Sequence, residues 1–447
     1  GLVSTGTVKA SLDGPHEGEG GMTLEQFSPD DPRTWSHPER FFAAARTQCP
    51  VAPFPVGGYV VTRWDDVRAA SMRVKDFSNT RPVFGAGDPE LEAIAADGYP
   101  EVPTLTNNDP PEHTRFRKLV YKAFVPEVVA GLEPKIRELA EGLITDAVDN
   151  GCAMDFVRDF TEILPIMVMA DALGIPREDR AVFRVWSDNI VNSIMGFMVM
   201  DRETQFATKR SYVEFQHYFA DLIEQRRAEP GEDMVSHLVH SRVDGERSLD
   251  VPEILDVLRA LLVAGNDTTN LLGGTLLLLL DAPDQLAEVT ADRSLVPQMI
   301  EEALRYLSPS RWNMRTVPHE GTELAGCPIP AGERVRLSWN AANWDGTYFP
   351  EPERFDIHRD TAKHMAFGHG IHFCIGKDLA RTEARIVFDT VLDRMTDIEL
   401  AVPRDEVEPM PIPGINRLNK LPIRFSACQQ EVASTALSSA PQPAVTP

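Results

Sequence analysis

Cys374 stands in the run Phe367-Gly368-His369-Gly370-Ile371-His372-Phe373-Cys374-Ile375-Gly376. A thiolate that serves as a metal ligand needs backbone N–H groups to stabilise its charge, close approach of the chain, and cover from water and oxidants. Glycines at 368, 370 and 376 let the chain turn tightly with no Cβ facing the sulfur. Phe367 supplies cover, and a helix starting at Lys377 would aim the positive end of its dipole at the anion. A second run, Ala264-Gly265-Asn266-Asp267-Thr268-Thr269, has different properties. Small residues at Ala264 and Gly265 admit a flat body against the backbone, and Asp267-Thr268 sets a proton source beside a hydroxyl. Alone, that run also fits a helix bent by threonine hydroxyls bonding back to carbonyls.

The first run resembles the haem-thiolate loop of the cytochrome P-450 family, F-G-x-G-x-H-x-C-x-G, continued here by the family's L-A-R as Leu379-Ala380-Arg381. The second resembles the family's oxygen-activation motif, A-G-x-[D/E]-T-[T/S], with Asn266 where His is common. The resemblance implies haem b as cofactor, with Cys374 as the proximal iron ligand donating electron density to the metal. Phe367 and Gly376 would flank that ligand. It further implies that Thr268 holds dioxygen and a water while Asp267 relays protons from solvent. Leu261, Ala264, Gly265 and Thr268 would face the iron.

Glu302-Ala303-Leu304-Arg305 matches the family's E-x-x-R, whose spacing puts both charges on one helix face. A lone pair of this kind is commonly a solvated ion pair. Here Arg354, in Pro352-Glu353-Arg354-Phe355, is the expected third partner of a buried structural network. The segment from Asp109 to Arg117 resembles D-P-P-E-H-x-x-x-R, with His113 and Arg117 on one helix face. Together with Arg315 and His372 these residues are expected to hold the two haem propionates, since guanidinium binds carboxylate bidentately and stays charged.

By the same analogy the substrate pocket draws on residues about 80–105 and 190–200, the distal helix, the stretch after E-x-x-R, and a turn near Ile415. The stretch with Ile190, Val191, Ile194, Met195, Phe197, Met198 and Met200 fits core packing at least as well. Ser310-Arg311-Trp312-Asn313 departs from the small or apolar residues of many relatives. Either Arg311 points to solvent, or the pocket has a polar anchor beside Trp312 and Asn313.

Long helices must position these groups. The apolar run 254–280 is long enough to span a bilayer, but Asp256, Arg259, Asn266 and Asp267 interrupt it, which favours a core helix. Ile136, Leu139, Ala140, Leu143, Ile144, Ala147 and Val148 follow helical periodicity behind Pro134, read as a helix start. Strands are expected near Val51 and at 59–62, 333–337 and 421–425. The fold class is mainly α (α+β). The resemblance makes it a helix-rich triangular prism with small β-sheets, the haem lying between the distal helix and the cysteine loop. Residues 23–427 are expected to form one haem-thiolate monooxygenase domain between a disordered segment, 1–22, and a loose tail, 428–447.

The net charge of −24 over 447 residues argues against nucleic-acid binding and against docking on an anionic membrane. Five cysteines, odd in number and without a C-x-x-C pair, argue against a disulfide framework or zinc site and fit a reducing cytoplasm. Residues 1–21 contain no apolar stretch, so a soluble enzyme of the bacterial class, without an anchor, is expected. The resemblance then implies a monomeric monooxygenase of secondary metabolism, inserting one atom of O₂ into a small to medium organic substrate. Its electrons would come from a separate ferredoxin and ferredoxin reductase. An acidic ferredoxin would meet Arg115, Lys118, Lys122, Lys377, Arg381 and Arg385. Two alternatives are a peroxide-driven peroxygenase, against which the Asp267-Thr268 relay argues, and a non-catalytic haem-binding sensor.

Overall fold

A computed structural model describes residues 23–28, 30–80, 88–196 and 200–427, with the side chains of 192–196 outside the description. The expected disordered segment 1–22 and tail 428–447 lie outside the described residues, as do Phe197, Met198 and 81–87 of the expected pocket segments.

The axis of the molecule is the helix Val251–Asp281, hereafter the distal helix. Its 31 residues span about 46 Å at the α-helical rise. Asp250 caps it: its carboxylate accepts from Glu253 N at 3.1 Å, and the Glu253 carboxylate accepts from Asp250 N at 3.0 Å. Polar Asp256 stays inside because Thr104 and Arg259 donate to it. Gly274 permits close packing on the helix Val296–Leu307, since a Cβ there would lie 2.7 Å from Leu307. The main hydrophobic core surrounds these two helices, joined by Pro126–Asp149 and Lys377–Arg394. Pro134 lies inside the helix Pro126–Asp149, not at its start. Pro126 takes the first-turn position, where a missing N–H costs nothing.

Nine strands form the minor sheets among the described residues. β1 (Val51–Pro53), β2 (Tyr59–Val61), β7 (Arg334–Ser338) and β4 (Trp312–Thr316) make one sheet in the order β1-β2-β7-β4. β3 (Ala153–Asp155), β9 (Pro422–Ala427) and β8 (Met395–Leu400) make a second, and β5 (Thr322–Leu324) pairs with β6 (Cys327–Ile329). β4 pairs antiparallel with β7, Asn313 opposite Leu337 and Arg315 opposite Val335. That register turns Asn313 and Arg315 to one face of the sheet and Trp312 to the other. Among the described residues no helix is long and apolar enough to cross a membrane.

The helix Val296–Leu307 buries Glu302 and Arg305 completely. Their bonds are bidentate, 2.7 Å from Nε and 2.8 Å from Nη2 of Arg305. The third member of the network is Arg359, whose Nε lies 3.1 Å from Glu302 Oε1. Arg354 is not that partner: its side chain is 64% exposed and only its carbonyl accepts from Arg305. The turn after Phe355 brings a cation five residues later back onto the buried carboxylate.

Candidate active site

The cysteine loop and the distal helix border one cavity with about 1440 Å³ of atom-free space, its mouth included. From the distal helix, Leu261, Ala264, Gly265, Asp267 and Thr268 line it. From the loop, Phe367, His372, Cys374 and Gly376 do so. A Cβ on Gly265 would make only an ordinary 3.6 Å contact with Met169, so the surrounding protein does not by itself demand glycine there.

The loop is a short, tightly held turn. Gly368 and Gly370 adopt φ of 74° and 78°, and a Cβ on Gly370 would press within 2.7 Å of the Ser71 carbonyl. Gly376 has an ordinary φ of −87°, so no left-handed conformation demands glycine there. Its contribution is the N–H that stabilises the sulfur of Cys374. Cys374 N donates to the Phe367 carbonyl at 2.9 Å, and Arg117 Nη1 donates to the Phe373 carbonyl at 2.6 Å. Burial pushes the Cys374 thiol up, against the Gly376 N–H and the guanidiniums of Arg117 and Arg381; nearby Asp267 adds to the rise. A cation coordinated by the sulfur would reverse that balance and favour the thiolate.

Asp267 lines the cavity, and burial alone pushes its carboxyl up to about 7. Asp267 is half-buried and takes part in the cavity wall. Thr268 is buried beside it, while Thr269 donates to the Thr161 carbonyl at 2.8 Å and faces the core.

His113, Arg117, Arg315 and His372 gather on one stretch of wall. The His113 and His372 rings lie 4.2 Å apart. Nε2 of His113 is buried without a hydrogen-bond partner, and burial followed by Arg117 lowers the pKa of its imidazole. A buried polar atom of this kind calls for a hydrogen-bond partner. A planar group carrying two carboxylates and a metal that accepts thiolate satisfies this wall and the sulfur together, so the residues fit haem b.

The fold keeps other residues of the expected pocket away from the cavity. Arg311 is 2% exposed and donates to the carbonyls of Trp35 and Ile412 at 2.7 and 2.8 Å. It reaches neither solvent nor the cavity. Trp312 packs edge-on against Phe54 at 5.2 Å, and Ile415 bridges Ser310; neither lines the cavity, whereas Asn313 does. Ile190 and Val191 are buried, Ile190 within the core. Among the expected docking cations Arg115 turns inward to Glu253 at 2.8 Å, whereas Lys118 and Lys122 are exposed. Missed in the sequence were Asn79, Thr106, Met169, Trp339 and Glu383, all in the lining. Burial pushes the Glu383 carboxyl up to about 8. Single residues of these types carry no local signal; only the fold collects them.

The family model described as Cytochrome P450 matches residues 86–415. The chain belongs to the cytochrome P-450 family. It is 41% identical to the monooxygenase PikC of Streptomyces venezuelae, over 82% of this chain and 85% of that one. It is 33% identical to the 6-deoxyerythronolide B hydroxylase of Saccharopolyspora erythraea, over 86% and 95%. The solved structure of CYP109Q5 from Chondromyces apiculatus superposes with a TM-score of 0.80 at 36% identity, covering 91% of this chain and all of that one. Members of this cytochrome P-450 family bind haem b through a cysteine thiolate, and this chain is accordingly a haem monooxygenase of the bacterial type.

Proposed function

We propose that Cys374 is the thiolate ligand and that the enzyme oxygenates a medium-sized, largely apolar secondary metabolite. The observation that carries this reading is the single cavity bounded by Ala264, Gly265, Asp267 and Thr268 on one side and Cys374 on the other. When bound, haem b supplies an iron centre for activating dioxygen. The Gly376 N–H, Arg117 and Arg381 stabilise the negative sulfur, and Phe367 covers it. His113, Arg117, Arg315 and His372 are the donors for the two propionates.

Thr268 orients a water at its hydroxyl. The carboxyl of Asp267, with its pKa near neutrality, gives up a proton and is reprotonated from solvent. Leu105, Met169 and Leu261 make apolar walls for the substrate, with Ser310 and Asn313 as polar points. The similarity to the polyketide biosynthesis cytochrome P450 PksS of Bacillus subtilis supports an apolar substrate of that class. The electron donor is a separate acidic ferredoxin, reduced by its own reductase in the cytoplasm and docking on the monomer near exposed Lys118 and Lys122.

The test is the reduced carbon monoxide complex. Wild type should show the red-shifted Soret band of a thiolate ligand, and Cys374→Ser should lose it. A Cys374→Ser protein that keeps the band would have another ligand. Turnover driven by ferredoxin, compared with turnover driven by hydrogen peroxide, decides between a monooxygenase and a peroxygenase cycle.

A further inference from the structure

Asn79 is 3% exposed and lines the cavity where the expected propionate donors gather. Its side-chain amide is used at both ends. Oδ1 accepts from Arg315 Nη1 at 2.7 Å, and Nδ2 donates to the Thr106 carbonyl while approaching His372 Nδ1 at 3.5 Å. One small side chain therefore touches three segments of the wall: residue 106, strand β4 and the cysteine loop.

We infer that Asn79 is a positioning residue that orients Arg315 and His372 toward the carboxylates of the bound cofactor. The inference rests on the haem-thiolate reading of the site. The choice of amide has a physical basis. Arginine offers five donors and no acceptor, so an oxygen beside it fixes the guanidinium plane. A neutral oxygen does so without itself cancelling the charge. Aspartate would hold the same fork but neutralise it, and would face the Thr106 carbonyl with a second acceptor. With Nδ2 turned to Nδ1 of His372, the imidazole proton belongs on Nε2. In this way the amide selects the donor tautomer.

Backbone bonds hold the turn at residue 79, and the one bond this side chain makes to backbone goes to the Thr106 carbonyl. The turn is held by the Asn79 N–H, which donates to Asp109 Oδ1 at 2.9 Å, and by Ser78, whose backbone pairs with Thr316 in both directions at 2.9 Å. Alanine keeps all of those backbone bonds. Asn79→Ala thus separates orientation of the donors from construction of the loop.

The experiment follows loss of cofactor from holoprotein to excess apomyoglobin, for wild type and Asn79→Ala, each loaded with haem or with haem dimethyl ester. The ester has no carboxylates for Arg315 and His372 to meet. Asn79→Ala should lose native haem about tenfold faster than wild type, the scale of one weakened charge-assisted hydrogen bond. With the ester the two proteins should differ by less than about twofold, since the interaction being oriented is absent. The Soret position of the reduced carbon monoxide complex should be the same in both proteins, because the thiolate is untouched. Equal acceleration with haem and ester would make Asn79 a packing residue and overturn the inference. Unchanged loss of native haem, or a displaced Soret band, would also overturn it. A wild-type protein that lacks the thiolate band fails the haem-thiolate reading itself, and this inference with it.

Discussion

The guanidinium carbon of Arg381 lies 4.6 Å from the centre of the Phe367 ring, at the start of the loop that carries Cys374. Arg381 is held there by Glu301, through bonds of 2.6 and 2.8 Å, and Glu301 also meets His364 at 2.9 Å. Neighbouring carboxylates on one helix thus do different work. Glu302 faces inward and locks the segment before the loop, while Glu301 fixes Arg381 over the Phe367 ring.

Burial acts to raise the Glu301 carboxyl, but Arg381 and His364 outweigh it and bring it down to about 2 from 4.5. A pKa lower in the folded than in the unfolded chain stabilises fully above about 4.5, and that stability is lost as pH falls toward 2. Glu301→Gln should therefore cost about 1–2 kcal/mol at neutral pH, discounted because both partners are partly exposed. Its denaturant midpoint should converge on the wild-type value as pH drops from 5 to 2.5. A gap that stays constant across this range would detach the effect from the charge of Glu301.

Arg359 and Arg354 offer a sharp comparison. Arg359→Ala removes a 9%-exposed partner from the fully buried Glu302 and should lower stability by about 2–3 kcal/mol. Arg354→Ala should change it by less than about 0.5 kcal/mol, as usual for an exposed side chain. Equal losses in urea unfolding would restore Arg354 to the network.

Arg311 should behave as a buried post, without a substrate contact. Burial lowers its pKa to about 10, so it stays charged at neutral pH, and its donors satisfy carbonyls of Trp35 and Ile412. Arg311→Ala strands those carbonyls and should cost about 2–4 kcal/mol of stability. Any loss in substrate affinity should be similar for carboxylate-bearing and uncharged ligands. Selective loss of the anionic ones, read from spin-state titrations, would bring the guanidinium back to the cavity.

Thr268→Ala should leave haem content near wild type and lower the product formed per NADH consumed to less than about half, with hydrogen peroxide as the balance. Asp267→Asn should slow turnover about tenfold or more, because an amide cannot shuttle a proton. Full coupling in the first variant or full speed in the second would remove that residue from the relay.

The chemistry-bearing motifs and the helices that carry them are legible along the chain. The residue spacing from Phe367 to Gly376 is local, and so are the apolar run of the distal helix and the i, i+3 pairing of Glu302 with Arg305. Each depends on backbone geometry within a few residues, so its outcome can be read along the chain. Tertiary structure alone decided which long side chains meet. Arg354 and Arg359 stand five residues apart in one polar stretch, and only the turn between them chooses the partner of Glu302. Arg311 is claimed by Trp35, 276 residues away, and by a turn about 100 residues later, contacts that no local pattern encodes. Asn79 gives no sign of its place until Thr106, Arg315 and His372 close around it. A flexible side chain takes its partner from whatever acceptors the folded backbone brings within reach, and burial then makes that choice hard to reverse.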